Sequence, residues 1–237
     1  MVSLVPSLTE SIAVTLPGIL VGATDYCMHP STLDSVVRVG GSKYPKVDAV
    51  LAARPDLVVA NVEENREEDV LRLRANGIPV WVTEAARTVP AGLASVRRLL
   101  TDVLGAAEPS WLLDAERIWA STEPVRATAI IPVWRKPWVV IGRGTFAGDV
   151  MRRLGIANAY GEDVARYPRP DLVDLRAKFY IGVADLLVLP DEPYLFTTED
   201  GPDAFPGVRY ALLSGRHLTW CGPSLVEAKS LLSAALA

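Results

Sequence analysis

The sequence is poor in the residues that most often carry chemistry. Its 237 residues include two cysteines, Cys27 and Cys221, and two histidines, His29 and His217. Two thiols are too few for a disulfide scaffold, and sequence alone leaves their pairing open. Two imidazoles are a thin supply for a nucleophilic triad, and nothing reads Gly-x-Ser-x-Gly. Positive charge is not in excess either: a net charge of -4 excludes the electrostatic footprint of a nucleic-acid binder. No run of about 18 apolar residues is present, so nothing reads as a membrane-spanning helix. The opening Met1-Val2-Ser3-Leu4-Val5-Pro6 lacks a basic stretch, a long apolar core and a small-residue cleavage site. On that reading the expected location is cytoplasmic, with an extracytoplasmic one as the alternative if a leader precedes this sequence.

What is present belongs to a globular chain, half of it hydrophobic and 22% charged. The length suffices for one large domain or for two of roughly 100–120 residues, each with its own core. Short apolar runs alternate with helix-like segments, the pattern of a parallel α/β fold. Residues 2–5 read as a strand that turns into a helix, with Ser7 as its N-cap and Glu10 three residues on. A strand over 20–24 and a helix over 47–53 follow; Arg54-Pro55-Asp56 breaks that helix before a strand over 57–60. The charged amphipathic helix 67–75 is closed by Gly77, ahead of a strand over 78–82, and a helix over 89–104 ends at Gly105. In the second half, strands over 127–133 and 138–141 form a hairpin through Arg135-Lys136-Pro137. A helix over 146–154 closes at Gly155; then come a short helix over 171–178, strands over 186–189 and 217–219, and a closing helix over 224–236. Between the halves, Trp111, Leu112, Ala115, Ile118 and Trp119 make one apolar stripe on a connecting helix. The expected fold class is α/β, with lobes over 1–105 and 125–237, each a mainly parallel sheet flanked by helices, joined by a single helix within 106–124. Open α/β sheets bind ligands beyond the carboxyl ends of their strands, so the loops there should line an interlobe cleft.

Several of those loops resemble a known family. Val2-Ser3-Leu4-Val5-Pro6-Ser7-Leu8-Thr9-Glu10, Thr24-Asp25-Tyr26-Cys27-Met28-His29-Pro30 and Val39-Gly40-Gly41-Ser42-Lys43 are similar to the N-lobe of the helical-backbone substrate-binding proteins. These are the cobalamin, haem and ferric-siderophore receptors of ABC importers. Arg54-Pro55-Asp56-Leu57-Val58-Val59-Ala60-Asn61 and Gly77-Ile78-Pro79-Val80 continue the likeness. Val133-Trp134-Arg135-Lys136-Pro137-Trp138, Arg152-Arg153-Leu154-Gly155 and Leu218-Thr219-Trp220 resemble its C-lobe, nearest the cobalamin-binding branch. The resemblance implies a non-enzymatic carrier with no intrinsic cofactor, holding a corrinoid, haem or ferric chelate between its lobes. It also implies docking onto an ABC permease through acidic residues: Glu67 in the N-lobe and, beside Val173, Asp174 in the C-lobe. The alternatives are a chelatase-type enzyme acting on a tetrapyrrole, and a ligand-free interaction protein of the same fold.

For such a ligand, aromatic residues beside strand ends come first, because a flat macrocycle is well held by aromatic faces. Tyr26, Tyr44, Trp134, Trp138 and Trp220 qualify; the competing account is core packing, which is preferred for Trp81, Trp111 and Trp119. Cys27 and His29, two residues apart, could reach one metal ion, and Trp220-Cys221-Gly222 could add Cys221 from the other lobe. A structural metal site would need further ligands, so buried thiols are the competing account. His29 alone could be an axial ligand to cobalt or iron. Arg135, Lys136 and Arg143 form a basic cluster, with Arg135 the first choice for holding a ligand carboxylate or phosphate. The acidic run Glu63-Glu64-Asn65-Arg66-Glu67-Glu68-Asp69 suits a helix N-terminus, while Glu63 and Glu64 could also wall a cleft. Gly142-Arg143-Gly144-Thr145 is too short for a phosphate loop and reads as a turn.

Overall fold

The computed structural model describes residues 1–33 and 35–237. The chain divides into two compact units. Unit one comprises Met1–Ala85, Leu93–Leu113 and Cys221–Pro223; unit two comprises Ala86–Gly92, Asp114–Trp220 and Ser224–Ala237.

Unit one is built on five parallel strands: β1 (Val2–Ser3), β2 (Gly22–Ala23), β3 (Val37–Arg38), β4 (Val58–Asn61) and β5 (Val80–Thr83), in the order β3-β2-β1-β4-β5. Val2, Val58, Val59 and Ala60 are buried because a central parallel strand is covered on both faces. The edge strand differs. Trp81 on β5 is 36% exposed, which corrects its assignment to the core. Helix α1 (Pro6–Thr15) begins one residue before the expected cap: Pro6 sits in its first turn and Val5 is the N-cap, so Ser7 is already helical and caps nothing. Helices α2 (Val47–Ala52) and α3 (Glu67–Ala75) lie where expected, and Gly77 at φ 78° gives the left-handed stop that only glycine takes without strain. Helix α4 (Val89–Arg98) continues as a π turn over Leu99–Val103. The connecting helix α5 (Ser110–Ile118) is present, and the division between units falls within it, after Leu113. Trp111 donates from Nε1 to Thr15 Oγ1 (3.1 Å) in unit one, and the buried Trp119 donates to the Leu225 carbonyl (2.8 Å) in unit two.

Unit two contains a parallel sheet in the order β11-β10-β6-β9, from β6 (Ala127–Ile130), β9 (Ile156–Asn158), β10 (Leu186–Pro190) and β11 (Tyr210–Leu213). The expected hairpin is present as β7 (Pro132–Arg135) and β8 (Trp138–Val140). Helix α6 (Phe146–Arg153) is capped by Thr145, whose hydroxyl accepts from the Gly148 N–H at 3.2 Å. Helix α7 (Leu172–Tyr180) is capped by Asp171 through the Asp174 N–H at 2.8 Å. Helices α8 (Gly215–Thr219) and α9 (Leu225–Ala235) complete the unit. Residues 217–219, expected as a strand, are helical, and the strand lies earlier, at β11. The fold class stands as expected, α/β with two parallel sheets flanked by helices. Among the described residues no helix is long and apolar enough to cross a membrane.

Candidate functional site

The strand-end loops of unit one are tied together by polar side chains. Buried Asn65 donates to the Leu4 carbonyl beyond β1 (3.2 Å) and to the Ser42 carbonyl beyond β3 (2.9 Å), while its Oδ1 accepts from the Asn61 N–H at the end of β4 (2.8 Å). An amide supplies donors and an acceptor from one side chain, which is what three buried backbone groups of mixed type require. Asn61 in turn donates to Thr83 Oγ1 (2.9 Å) and to the Glu84 carbonyl (3.2 Å) beyond β5. Arg38 Nη1 reaches the carbonyls of Thr24 (2.9 Å) and Cys27 (2.8 Å) beyond β2. None of these three residues stood out in the sequence; Asn65 lay hidden inside an acidic run, where its neighbours' charges drew the attention.

On this frame three large side chains face outward: Tyr26 at 65% exposure, Met28 at 65% and Tyr44 at 69%. The Tyr26 ring lies over Gly41, where a Cβ would stand 3.4 Å from Cε2. The Arg66 guanidinium sits 4.6 Å from the centre of the Tyr44 ring, a cation–π contact. Beside them His29 is half-buried. Cys27 points the other way. It is fully buried, with Sγ 3.0 Å from Thr9 Oγ1 and 3.1 Å from Thr24 Oγ1, and burial raises its thiol pKa despite those hydrogen bonds. Cys27 therefore belongs to the packing and not to a ligand surface. Cys221 packs against the cluster of Val5, Leu8 and Ile12, and burial pushes its thiol up to about 12; both thiols are free. Glu63 is half-buried, its N–H held by Asn61 Oδ1 (2.8 Å) and its carbonyl accepting from Lys43 Nζ (3.3 Å).

In unit two the hairpin supplies the strand-end surface. Trp134 and Trp138 lie on opposite sides of it. Trp134 is 44% exposed and meets Tyr194 edge-on at 5.5 Å. Trp138 is buried, stacked on Phe196 (6.1 Å, 6°) and edge-on to Phe205 (5.4 Å, 70°), so it is core and not a ligand wall. Arg135 lies over the Trp138 ring and forms ion pairs with Asp200 and with Asp203 (2.6 Å), while the Tyr194 hydroxyl donates to Asp200 Oδ2 at 2.6 Å. The guanidinium expected to hold a ligand carboxylate is thus engaged within its own unit, where it fastens the hairpin to the loop beyond β10. Its hydrogen bond holds the Asp203 carboxyl well below the usual carboxylate range. Trp220 is buried as the C-cap of α8, beside Glu192, so it too packs inward. Burial, then the neighbouring Asp191, raise the Glu192 carboxyl against the lowering effect of its hydrogen bond with Trp220. At the end of β9, Asn158 donates to the carbonyls of Ile141 (2.8 Å) and Gly142 (3.3 Å) and accepts from the Tyr160 N–H (3.0 Å).

The structure therefore keeps Tyr26 and Tyr44 outward on unit one and Trp134 outward on unit two. Glu67 opens α3 and Asp174 lies in the first turn of α7, both exposed, where an acid is also favoured by the helix dipole. Among the described residues no group of three or more His, Cys, Asp or Glu side chains is arranged to hold a metal ion.

No protein-family model matches the chain. Among curated proteins it is 22% identical over 186 residues to the vitamin B12-binding protein of Vibrio cholerae serotype O1, an alignment covering 75% of this chain and 66% of the relative's length. Among solved structures it is similar to the periplasmic haem-binding protein RhuT from Roseiflexus sp. RS-1 in apo form, at a TM-score of 0.79 and 20% identity, over 99% of this chain and 96% of that one. The periplasmic vitamin B12-binding protein BtuF of Vibrio cholerae is similar at a TM-score of 0.73 and 18% identity, over 99% and 95%. The chain has the fold of the class III periplasmic binding proteins. Vitamin B12-binding and haem-binding proteins are both found among these relatives.

Proposed function

We propose that the chain is a substrate-binding protein of the ABC-importer type, or an intracellular relative of one, that captures a corrinoid, haem or ferric chelate without transforming it. The observation that carries this reading is the likeness over 99% of the chain to both a haem-binding and a vitamin B12-binding protein. Tyr26, Tyr44 and Trp134 support it, because exposed aromatic faces at the carboxyl ends of strands suit a flat macrocycle. Glu67 and Asp174 are the carboxylates proposed to meet basic residues of a permease. Work with a permease would put the protein outside the cytoplasm, where relatives named as periplasmic act; cell fractionation distinguishes this from an intracellular carrier.

The test is a titration of the purified protein with haemin, cyanocobalamin and a ferric siderophore, followed by visible absorbance and thermal melting. A ligand at a hundred times its Kd stabilises by about 2.7 kcal/mol, which is roughly 5–10 °C for a chain of this size. The expected result is such a shift, with a spectral change, for one of the three. No shift and no spectral change with any of them would overturn the reading.

A further inference from the structure

We propose that Arg66 is a positioning residue for the ligand surface of unit one. Locked by Asp69, its guanidinium backs one face of the Tyr44 ring and leaves the other face presented to a planar conjugated macrocycle. This inference rests on the carrier reading above. It adds the residue that orients one aromatic contact and the ligand class which that orientation suits.

Both partners of the contact are pinned by one amide. Asn65 holds the Ser42 carbonyl at 2.9 Å, two residues before Tyr44, and Arg66 follows Asn65 directly in the chain. Arg66 is the N-cap residue of α3, with extended backbone (φ -81°, ψ 138°), and its side chain makes no cap hydrogen bond. That side chain is taken instead by the first turn of the helix. Nε donates to Asp69 Oδ2 at 2.9 Å and Nη2 to Asp69 Oδ1 at 3.1 Å, a two-pronged pair on a residue only 6% exposed. Nη1 pairs with the exposed Glu68 at 2.5 Å. With its edges occupied by two acids, the planar guanidinium turns its flat face to Tyr44, its central carbon 4.6 Å from the ring centre.

A guanidinium so engaged is not offered to an anion of the ligand; it acts through the ring it covers. Tyr44 remains 69% exposed although one face lies under Arg66, so the opposite face is the open one. A surface tyrosine without such backing loses rotamer freedom when a ligand orders it. A ring already stacked on a fixed plane loses less, which is the usual benefit of pre-organisation. What is presented is one flat aromatic face, and offset stacking on it requires a conjugated plane in the partner. A porphyrin supplies that plane over its whole width, whereas a ferric hydroxamate has none.

The experiment is a double-mutant cycle on haemin binding, read from visible absorbance, with wild type, Arg66→Gln, Tyr44→Ala and the double variant. Tyr44→Ala should hold haemin roughly tenfold more weakly, and Arg66→Gln about three- to tenfold more weakly. On the Tyr44→Ala background, Arg66→Gln should change the affinity by less than about twofold, because the ring it orients is gone. A merely structural role would give the same loss on both backgrounds. That additivity overturns the inference, as does an Arg66→Gln variant that binds haemin like wild type. Should Arg66→Gln fail to fold, Arg66→Lys takes its place: it keeps the charge, lacks the planar fork and should show the same loss, so wild-type affinity there is equally fatal. Wild type that binds ferrioxamine B or cyanocobalamin but not haemin overturns the inference and leaves the carrier reading standing. Wild type that binds none of the three overturns both.

Discussion

In unit one the loops beyond the strands are joined by amide side chains, whereas in unit two they are joined largely by rings and a paired guanidinium. Asn65 and Asn61 satisfy buried backbone groups, so the outward Tyr26, Met28 and Tyr44 contribute little to holding their own loops. In unit two the hairpin's two tryptophans are divided: Trp138 packs with Phe196 and Phe205 beneath Arg135, and Trp134 looks outward. A tryptophan near a strand end is therefore no guide to a ligand surface until the neighbouring residues show which way its face turns.

The comparison can be tested by unfolding the protein in urea. Trp138→Ala should cost about 3–5 kcal/mol, the usual range for emptying a buried aromatic site, whereas Trp134→Ala should cost under about 1 kcal/mol and act on ligand affinity instead. Equal costs would abolish the division of roles within the hairpin. Asn65→Ala strands two carbonyls and one N–H, and about 3 kcal/mol of stability should go with them. Asn158→Ala, in a half-buried site, should lose about 1–2 kcal/mol, so a larger loss there would make the amide the mainstay of both units.

The paired carboxylates of unit two add a pH dependence. The carboxyl of Asp203 is depressed in the folded state, so its contribution is complete above its unfolded pKa near 4 and is lost as pH falls below that. Being half-exposed, the pair should contribute under about 1 kcal/mol, and stability curves of wild type and Arg135→Gln should converge between roughly pH 5 and pH 2. Curves that stay parallel through that range would remove the clamp. The smallest effect is expected at the thiols. A disulfide reagent at pH 8 should label neither Cys27 nor Cys221 in the native protein and both in urea. Rapid native labelling of Cys27 would mean that the loop beyond β2 opens.

Much of the scaffold could be read from local signals. The left-handed stops at Gly77 and Gly155, the charged first turn of α3 and the Lys136-Pro137 reversal were all visible as residue types at fixed offsets. The strands that escaped notice are short. β3 is a two-residue edge strand with both residues exposed, so it has no apolar alternation to display. Residues 217–219 read as a strand from their composition, yet a five-residue helix is too short for a 3.6-residue period to register. The site was less legible because exposure was the deciding property. Position near a strand end selected Tyr26, Tyr44 and Trp134 together with Cys27, Trp138, Trp220 and Cys221, and only tertiary packing separates the two groups.

The amide at position 65 also bears on how such a scaffold can diversify. Because one side chain sets the spacing of three backbone segments, the residues displayed on those segments can be exchanged without moving their attachment points. A substitution at Tyr44, two residues beyond Ser42, alters the surface on offer while its location is kept. A change in what that surface presents is then reachable one point change at a time, whereas a change at Asn65 would shift the whole display together.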